Sequence, residues 1–259
     1  MTKEDGFEFV ESSALLNGIV KDKTIAGIAF GGKTFSGIVF DCLQTVQQYT
    51  EVAKLLLSSY DFGNVKSVNF NRIASGVKSI SIESDRKPVS DPFIFIQRPL
   101  VIPSVKDIID WNDRAQEVYP EDGAYGIRGV KDRGILEYTV EMAKDSMMFG
   151  EDRYPTVASK SAFVWFRIAK YQAFQNGNKR TAMVAALIML HSNGYDFIYH
   201  EGLKKELVEA SLEIANDNLT VEEITNYICE NCKINADNSN WTTMQQLKSE
   251  EFKRENWEK

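Results

Sequence analysis

Two apolar segments separated by a short polar one constrain this chain more than any other feature. Val157 to Lys170 carries Phe163, Trp165, Phe166 and Ile168, and Thr181 to Leu190 is nearly all apolar and uncharged. Both have helical length, and neither approaches the run of roughly 18 apolar residues that a membrane-spanning helix needs. A helix that is apolar on every side must be buried. The two segments therefore predict buried central helices over 157–170 and 181–192, with Asn193-Gly194 as the stop of the second.

The polar segment between them, Tyr171-Gln-Ala-Phe-Gln-Asn-Gly-Asn-Lys-Arg-Thr-Ala182, predicts a loop over 171–180. Gly177 and Asn178 can present backbone N–H groups, the following helix adds its positive N-terminal end, and Lys179 and Arg180 bring two cations. Such a set suits a polyphosphate. It equally suits a solvated helix start whose cations face water, and residue types alone leave the two readings open.

The surrounding text is also helical. Ser104-Val-Lys-Asp107 reads as a cap before Val105, Ile108, Ile109, Ala115 and Val118. Gly123 to Gly134 reads as a loop, Ile135 to Met148 as a helix, and Gly150 to Pro155 as its break. Thr220-Val-Glu-Glu223 is a capping box opening a last helix through Ile228. Upstream, prolines and turn residues between 86 and 104 mark a boundary. The expected domains are a smaller α+β region over 1–100, a helical bundle over 101–235 and a polar tail over 236–259, so the fold class is mostly α.

The first region behaves differently. Val10, Leu15, Val20, Ile25, Phe30, Phe35 and Phe40 recur every five residues, and Lys23 to Phe30 is echoed by Lys33 to Phe40. A β-hairpin turning on Gly31-Gly32 accounts for the echo better than a pentapeptide coil. Residues 43–59 predict a helix, and Val65 to Ile82 predicts strands. Gly27 to Thr34 also satisfies G-x-x-x-x-G-K-[ST], the expression of a phosphate-binding P-loop. It follows the polar Lys21-Asp-Lys-Thr rather than a buried strand, and no later apolar run of the region ends in a magnesium-holding aspartate, so the match reads as chance.

A net charge of −7 disfavours nucleic acid as the main partner, because that binding needs a surplus of Lys and Arg on one face. The N-terminus lacks the basic-then-apolar build of a signal peptide, and three cysteines form no disulfide framework, so a cytoplasmic setting is expected. Cys229 and Cys232 make one C-x-x-C, but with only two histidines, His191 and His200, no four-ligand zinc site follows.

Phe174, Gly177-Asn178-Lys179-Arg180-Thr181-Ala182 and their flanking helices resemble the signature of the Fic/death-on-curing (Doc) family, H-x-F-x-x-G-N-K-R-T-A in its Doc form. Gly126 to Glu137, Asn193-Gly194-Tyr195 and Leu219 to Ile224 are similar to further family segments, in order, so the likeness covers about residues 104 to 235. The resemblance implies a helical Fic-type fold and a site in which the motif histidine is the general base on a target hydroxyl. It assigns nucleotide phosphates to Gly177, Asn178, Lys179, Arg180 and Thr181, Mg²⁺ to the neighbourhood of Asn176, and a packing role to Phe174.

Two positions depart. Gln172 stands in the histidine's place, and a neutral amide cannot accept the hydroxyl proton. Asn176 stands where many members have Asp. Nucleotidyl-transferring relatives carry G-N-G-R-x-x-R, whereas this chain has Lys179 and Met183 at the third and last of those positions, which makes it Doc-like. The resemblance thus implies a toxin of a toxin–antitoxin system that uses ATP and Mg²⁺ to phosphorylate a Ser or Thr of a protein, a translation factor by family, silenced here by Gln172. Its partners would be that protein and a small antitoxin. Adenylyl transfer (AMPylation) is the alternative chemistry, and a natural pseudoenzyme that binds nucleotide or protein is the alternative class. Ser12 to Gly18 resembles the built-in inhibitory helix of some Fic proteins, with Asn17 in place of the glutamate.

Overall fold

The computed structural model describes residues 7–9, 28–30, 33–35, 38–41, 45–74, 77–85, 93–97, 99–118 and 127–234. The inhibitory-helix likeness at 12–18 and the expected tail at 236–259 lie outside the described residues. The chain forms two compact units, one of residues 1–43, 52–99 and 234–259, the other of 44–51 and 100–233.

The first unit is built on strands. β1 (Phe7–Phe9), β2 (Ile28–Phe30) and β3 (Lys33–Phe35) form a three-stranded antiparallel sheet in that order. The pairs Ile28↔Phe35, Ala29↔Thr34 and Phe30↔Lys33 leave two residues between the strands, the register of a β-hairpin, while the end of the echo, Ile38 to Phe40, lies in the second sheet. Lys33 and Thr34 therefore lie in a strand, whereas the lysine and hydroxyl residue of a P-loop open a helix. β4 (Ile38–Asp41) is followed by α1 (Val46–Ser59), β5 (Val65–Ala74), β6 (Val77–Ser84) and β7 (Phe93–Gln97). The sheet order is β4-β7-β6-β5, with β4 parallel to β7 and the other pairs antiparallel. Val52, Leu55 and Leu56 of α1, with Phe62, Ile80, Phe93 and Phe95, are its buried apolar residues.

The second unit is helical: α2 (Val105–Val118), α3 (Arg133–Lys144), α4 (Val157–Tyr171), α5 (Asn178–Ser192), α6 (Leu203–Ala215) and α7 (Val221–Asn231). Helix α4 is the hub, packing against α3, α5, α6 and α7, and α5 adds contacts to α2 and α6. Eleven of its fifteen residues are buried, as its composition requires. Trp165 is fully enclosed and donates through Nε1 to Ser211 Oγ at 2.9 Å, tying α4 to α6.

Caps set the ends. Thr156 and Ser159 form a capping box on α4, Thr220 and Glu223 form one on α7, and Asp132 caps α3 by accepting from Gly134 and Ile135. Ser104 and Asp107 exchange the same reciprocal bonds before α2. At the end of α5 the buried Asn193 bonds both backbone groups of Val101 at 2.9 Å, and Gly194 follows in the left-handed region. Buried Glu51 accepts from Ala158 N–H at 3.2 Å in the first turn of α4, where the helix dipole favours a carboxylate.

Two expectations change. The helix expected to reach Met148 ends at Lys144, because Asp145 turns the chain and accepts from Met147 N–H at 3.0 Å. A small hairpin follows, β8 (Met147–Met148) against β9 (Glu151–Asp152), turning on Phe149 and Gly150. Both turn residues have positive φ, 53° and 86°, as a two-residue type I′ turn demands. The loop expected over 171–180 is shorter: α5 begins at Asn178, which puts Lys179 and Arg180 in its first turn.

Cys229 sits half-buried in α7 and Cys232 is buried at its end; burial drives the Cys232 thiol pKa far above its usual range, the behaviour of an inert packed thiol. Among the described residues no cluster of three His, Cys, Asp or Glu could hold a metal, and no helix is long and apolar enough to cross a membrane.

Candidate functional site

Gly177 adopts φ 76°, a conformation that costs glycine little, and so turns the chain directly into α5. No side chain caps that helix start. Asn178, the first helical residue, spends its side chain elsewhere: Oδ1 accepts from Phe174 N–H and Nδ2 donates to the Phe174 carbonyl, both at 2.8 Å. The loop is thereby closed on itself, and the N–H groups of Asn178 and Lys179, in the first turn of α5, are left to a ligand.

A second strap holds the loop from outside. Val130 forms a bridge with Phe174, Lys131 and Asp132 donate to the Ala173 carbonyl at 2.8 and 3.0 Å, and Gln175 N–H donates to the Gly129 carbonyl at 3.0 Å. Asn112 of α2, fully buried, donates through Nδ2 to the Asn176 carbonyl at 3.0 Å and to Thr181 Oγ1 at 2.8 Å. Phe174 fills the space beneath, 1% exposed. The backbone around Gly177 is preorganised rather than adaptable.

This helix start opens on a cleft of about 520 Å³, a size that suits a small ligand. One wall is Gln172 and Gln175 to Arg180; the other is Ala169, Met183, Val208, Leu212 and Ala215, with Ser211 between. Polar donors thus face an apolar wall across one cavity. Among the described residues no carboxylate lines it.

The residues marked from sequence are distributed as follows. Gln172 ends α4 in the left-handed region at φ 53°, exposed at the cleft. Lys179 is exposed there as well. Arg180 lines the cleft, but its Nη1 donates to the Ala115 carbonyl at 3.1 Å, near the end of α2. The Thr181 side chain is buried on Asn112, outside the cleft lining, and Phe174 lies in the core. Asn176 turns its Oδ1 onto Gly177 N–H at 2.6 Å. The sequence reading passed over Asn112 and the α6 wall. Asn112 had a signal, a polar residue one helical turn after Ile108 on an apolar face; Val208 and Leu212 read only as the ordinary face of a helix.

Residues 103–190 match the family model described as the Fic/DOC family, from the start of α2 to within a turn of the end of α5. The chain carries a Fic/Doc-family domain. It is also similar to a curated protein, Toxin Doc of Mycolicibacterium smegmatis, with 38% identity over 65 residues. That match takes in 25% of this chain and 49% of the relative, so the chain spans about half the length of the relative it matches. The α6 wall of the cleft falls outside the residues of the Fic/Doc match.

Proposed function

We propose that this Fic/Doc domain is a Doc-like toxin whose cleft holds ATP and whose parent chemistry is transfer of the γ-phosphate to a Ser or Thr hydroxyl of a protein. The observation that carries the reading is the uncapped start of α5, rigidly presented to a cleft with Lys179 at its lip and no acid in its lining. Backbone N–H groups in the first turn of α5 take the phosphates, as helix starts do. Lys179 adds a mobile charge. Met183, Val208 and Leu212 offer the apolar surface that a base and ribose need.

Gln172 stands where the acceptor hydroxyl would arrive. Its amide can orient that hydroxyl through a hydrogen bond but cannot take the proton, so transfer in this form is slow. Arg180 is held by Ala115 and acts on the phosphates through its charge. Thr181 and Asn178 serve the loop's shape, since both side chains are bonded within it.

The donor set does not make a protein-held Mg²⁺ site. That ion favours one or two carboxylates. The cleft has none among the described residues, and the Asn176 side-chain oxygen is engaged by Gly177. Magnesium would arrive with the nucleotide. A translation factor as target is what the Doc-type motif resemblance implies, and the likeness to Toxin Doc supports a small antitoxin as partner. Gln172 itself favours a second reading, a domain that binds nucleotide without chemistry.

Calorimetry with Mg-ATP tests the cleft. Binding at micromolar to millimolar nucleotide, weakened about tenfold or more by Lys179→Ala, is expected. No heat at millimolar ATP, or heat unchanged in that variant, would remove the reading.

A further inference from the structure

Helix α4 carries a second cationic feature that the cleft does not use. Arg167 shares a face with Phe163 and Tyr171, one turn to either side. Its guanidinium carbon lies 3.8 Å from the Tyr171 ring centroid and 4.7 Å from that of Tyr138. Among the described residues no carboxylate answers it. Nε is buried without a hydrogen-bond partner, and among the described residues the guanidinium makes no ion pair.

The feature extends toward the β8–β9 hairpin. Tyr154 stacks on Phe163 at 4.5 Å between centroids, and Phe163 meets Tyr138 edge-on at 6.4 Å. Arg153, exposed, touches Met148 Sδ at 3.5 Å and likewise has no acid partner among the described residues. Burial raises the Tyr154 phenol pKa, Arg153 and Arg167 pull it back, and no carboxylate acts on it. In a chain with 37 acidic residues against 30 basic ones, acids are plentiful. Lys170 on the same helix has one, Asp217. Arg153 and Arg167 do not.

We propose that Arg167 and Arg153, framed by Tyr138, Tyr154 and Tyr171, form a docking site for the acidic flank of the protein segment that presents the acceptor hydroxyl. The proposal rests on the transferase reading and gives its substrate a chemical class. A guanidinium laid over aromatic rings is fixed by them and keeps its in-plane donors for a carboxylate, which it can grip bidentately. Tyr138 and Tyr171 are 46% and 43% exposed, so a ligand reaches that edge from solvent. Arg167 lies five residues before Gln172 and about 140° around the helix from it, so the acidic flank reaches the cluster by passing around the end of α4 rather than from inside the cleft.

The test uses the whole chain and a fluorescein-labelled peptide in which serine is flanked by glutamates, with a glutamine-for-glutamate peptide as reference. The glutamate peptide should bind, weaken with added salt, and weaken about tenfold or more on Arg167→Gln, while Mg-ATP binding stays unchanged. Arg153→Gln, at an exposed position, should weaken the peptide several-fold and covers the case in which Arg167→Gln lowers stability. Equal binding of the two peptides, or of one peptide by wild type and both variants, overturns the proposal. Loss of ATP binding in Arg167→Gln also overturns it, by giving the cluster to the nucleotide. If wild type binds the glutamate peptide through these arginines but never binds ATP, the transferase reading falls and the acid-binding site stands.

Discussion

Asn178 holds both backbone polar groups of Phe174, accepting from its N–H and donating to its carbonyl at 2.8 Å each. The residue placed to cap α5, Gly177, has no side chain, and Asn178 gives its amide to the preceding turn, so the helix start is left open to the cleft. Removing that amide should cost twice over. Asn178→Ala is expected to destabilise the domain by about 2–3 kcal/mol, two bonds lost with a partly buried turn left unpaired. Asn178→Asp keeps the acceptor and should cost about half as much. Urea denaturation of the three proteins measures it.

Asn112 plays the same part from α2, with one amide group serving the Asn176 carbonyl and the Thr181 hydroxyl. Asn112→Ala leaves buried acceptors without a donor and should cost about 2–4 kcal/mol. Amide exchange at Gly177 and Asn178 should accelerate in that variant. Unchanged exchange would mean that the loop is held by the 129–132 strap alone.

Gln172 pays a conformational cost at φ 53°, where a residue with a Cβ is disfavoured by about 1 kcal/mol. Gln172→Gly should therefore leave stability unchanged or raise it by up to about 1 kcal/mol, since relief of strain is offset by a freer unfolded chain. A thermal midpoint that falls would show the side chain to be a packing element. Stability retained would place its role in the cleft.

Acid should loosen two helix starts. The Asp107 carboxyl is held below its usual pKa by the Ser104 hydroxyl and N–H, and Glu223 by the Thr220 N–H and hydroxyl. A depressed folded pKa means that the stabilisation is full above the unfolded value, near pH 4, and is lost as pH falls through the lower folded value. Helical circular dichroism should decline below about pH 4, and less so in Asp107→Asn with Glu223→Gln, whose starts are already weakened at neutral pH.

The helices were legible because their causes are local. Val157 to Lys170 is rich in aromatic and aliphatic residues, Thr181 to Leu190 is nearly all apolar and uncharged, and Thr156, Thr220 and Ser104 are followed at the right spacing by their capping partners. The β8–β9 hairpin was not, since two residues per strand are too few to show alternation, and Met147-Met148-Phe149 continues the apolar rhythm of α3. In the loop, sequence showed which groups were available and not which way each would turn. Arg180 reaches Ala115 and Thr181 reaches Asn112 only because α2, some 65 residues upstream, packs against α5. The α6 wall was illegible for the same reason: Val208 and Leu212 matter through the helix that faces them.

The central claim is that the cleft is built for phosphoryl transfer and lacks only its base at residue 172. The direct measurement is transfer of label from γ-labelled and α-labelled ATP to protein in a cell extract, by this chain and by Gln172→His. The account predicts incorporation of the γ label alone, roughly 100- to 10,000-fold faster with histidine, the range a positioned general base supplies. Equal rates from the two proteins, or no incorporation from either, would contradict it.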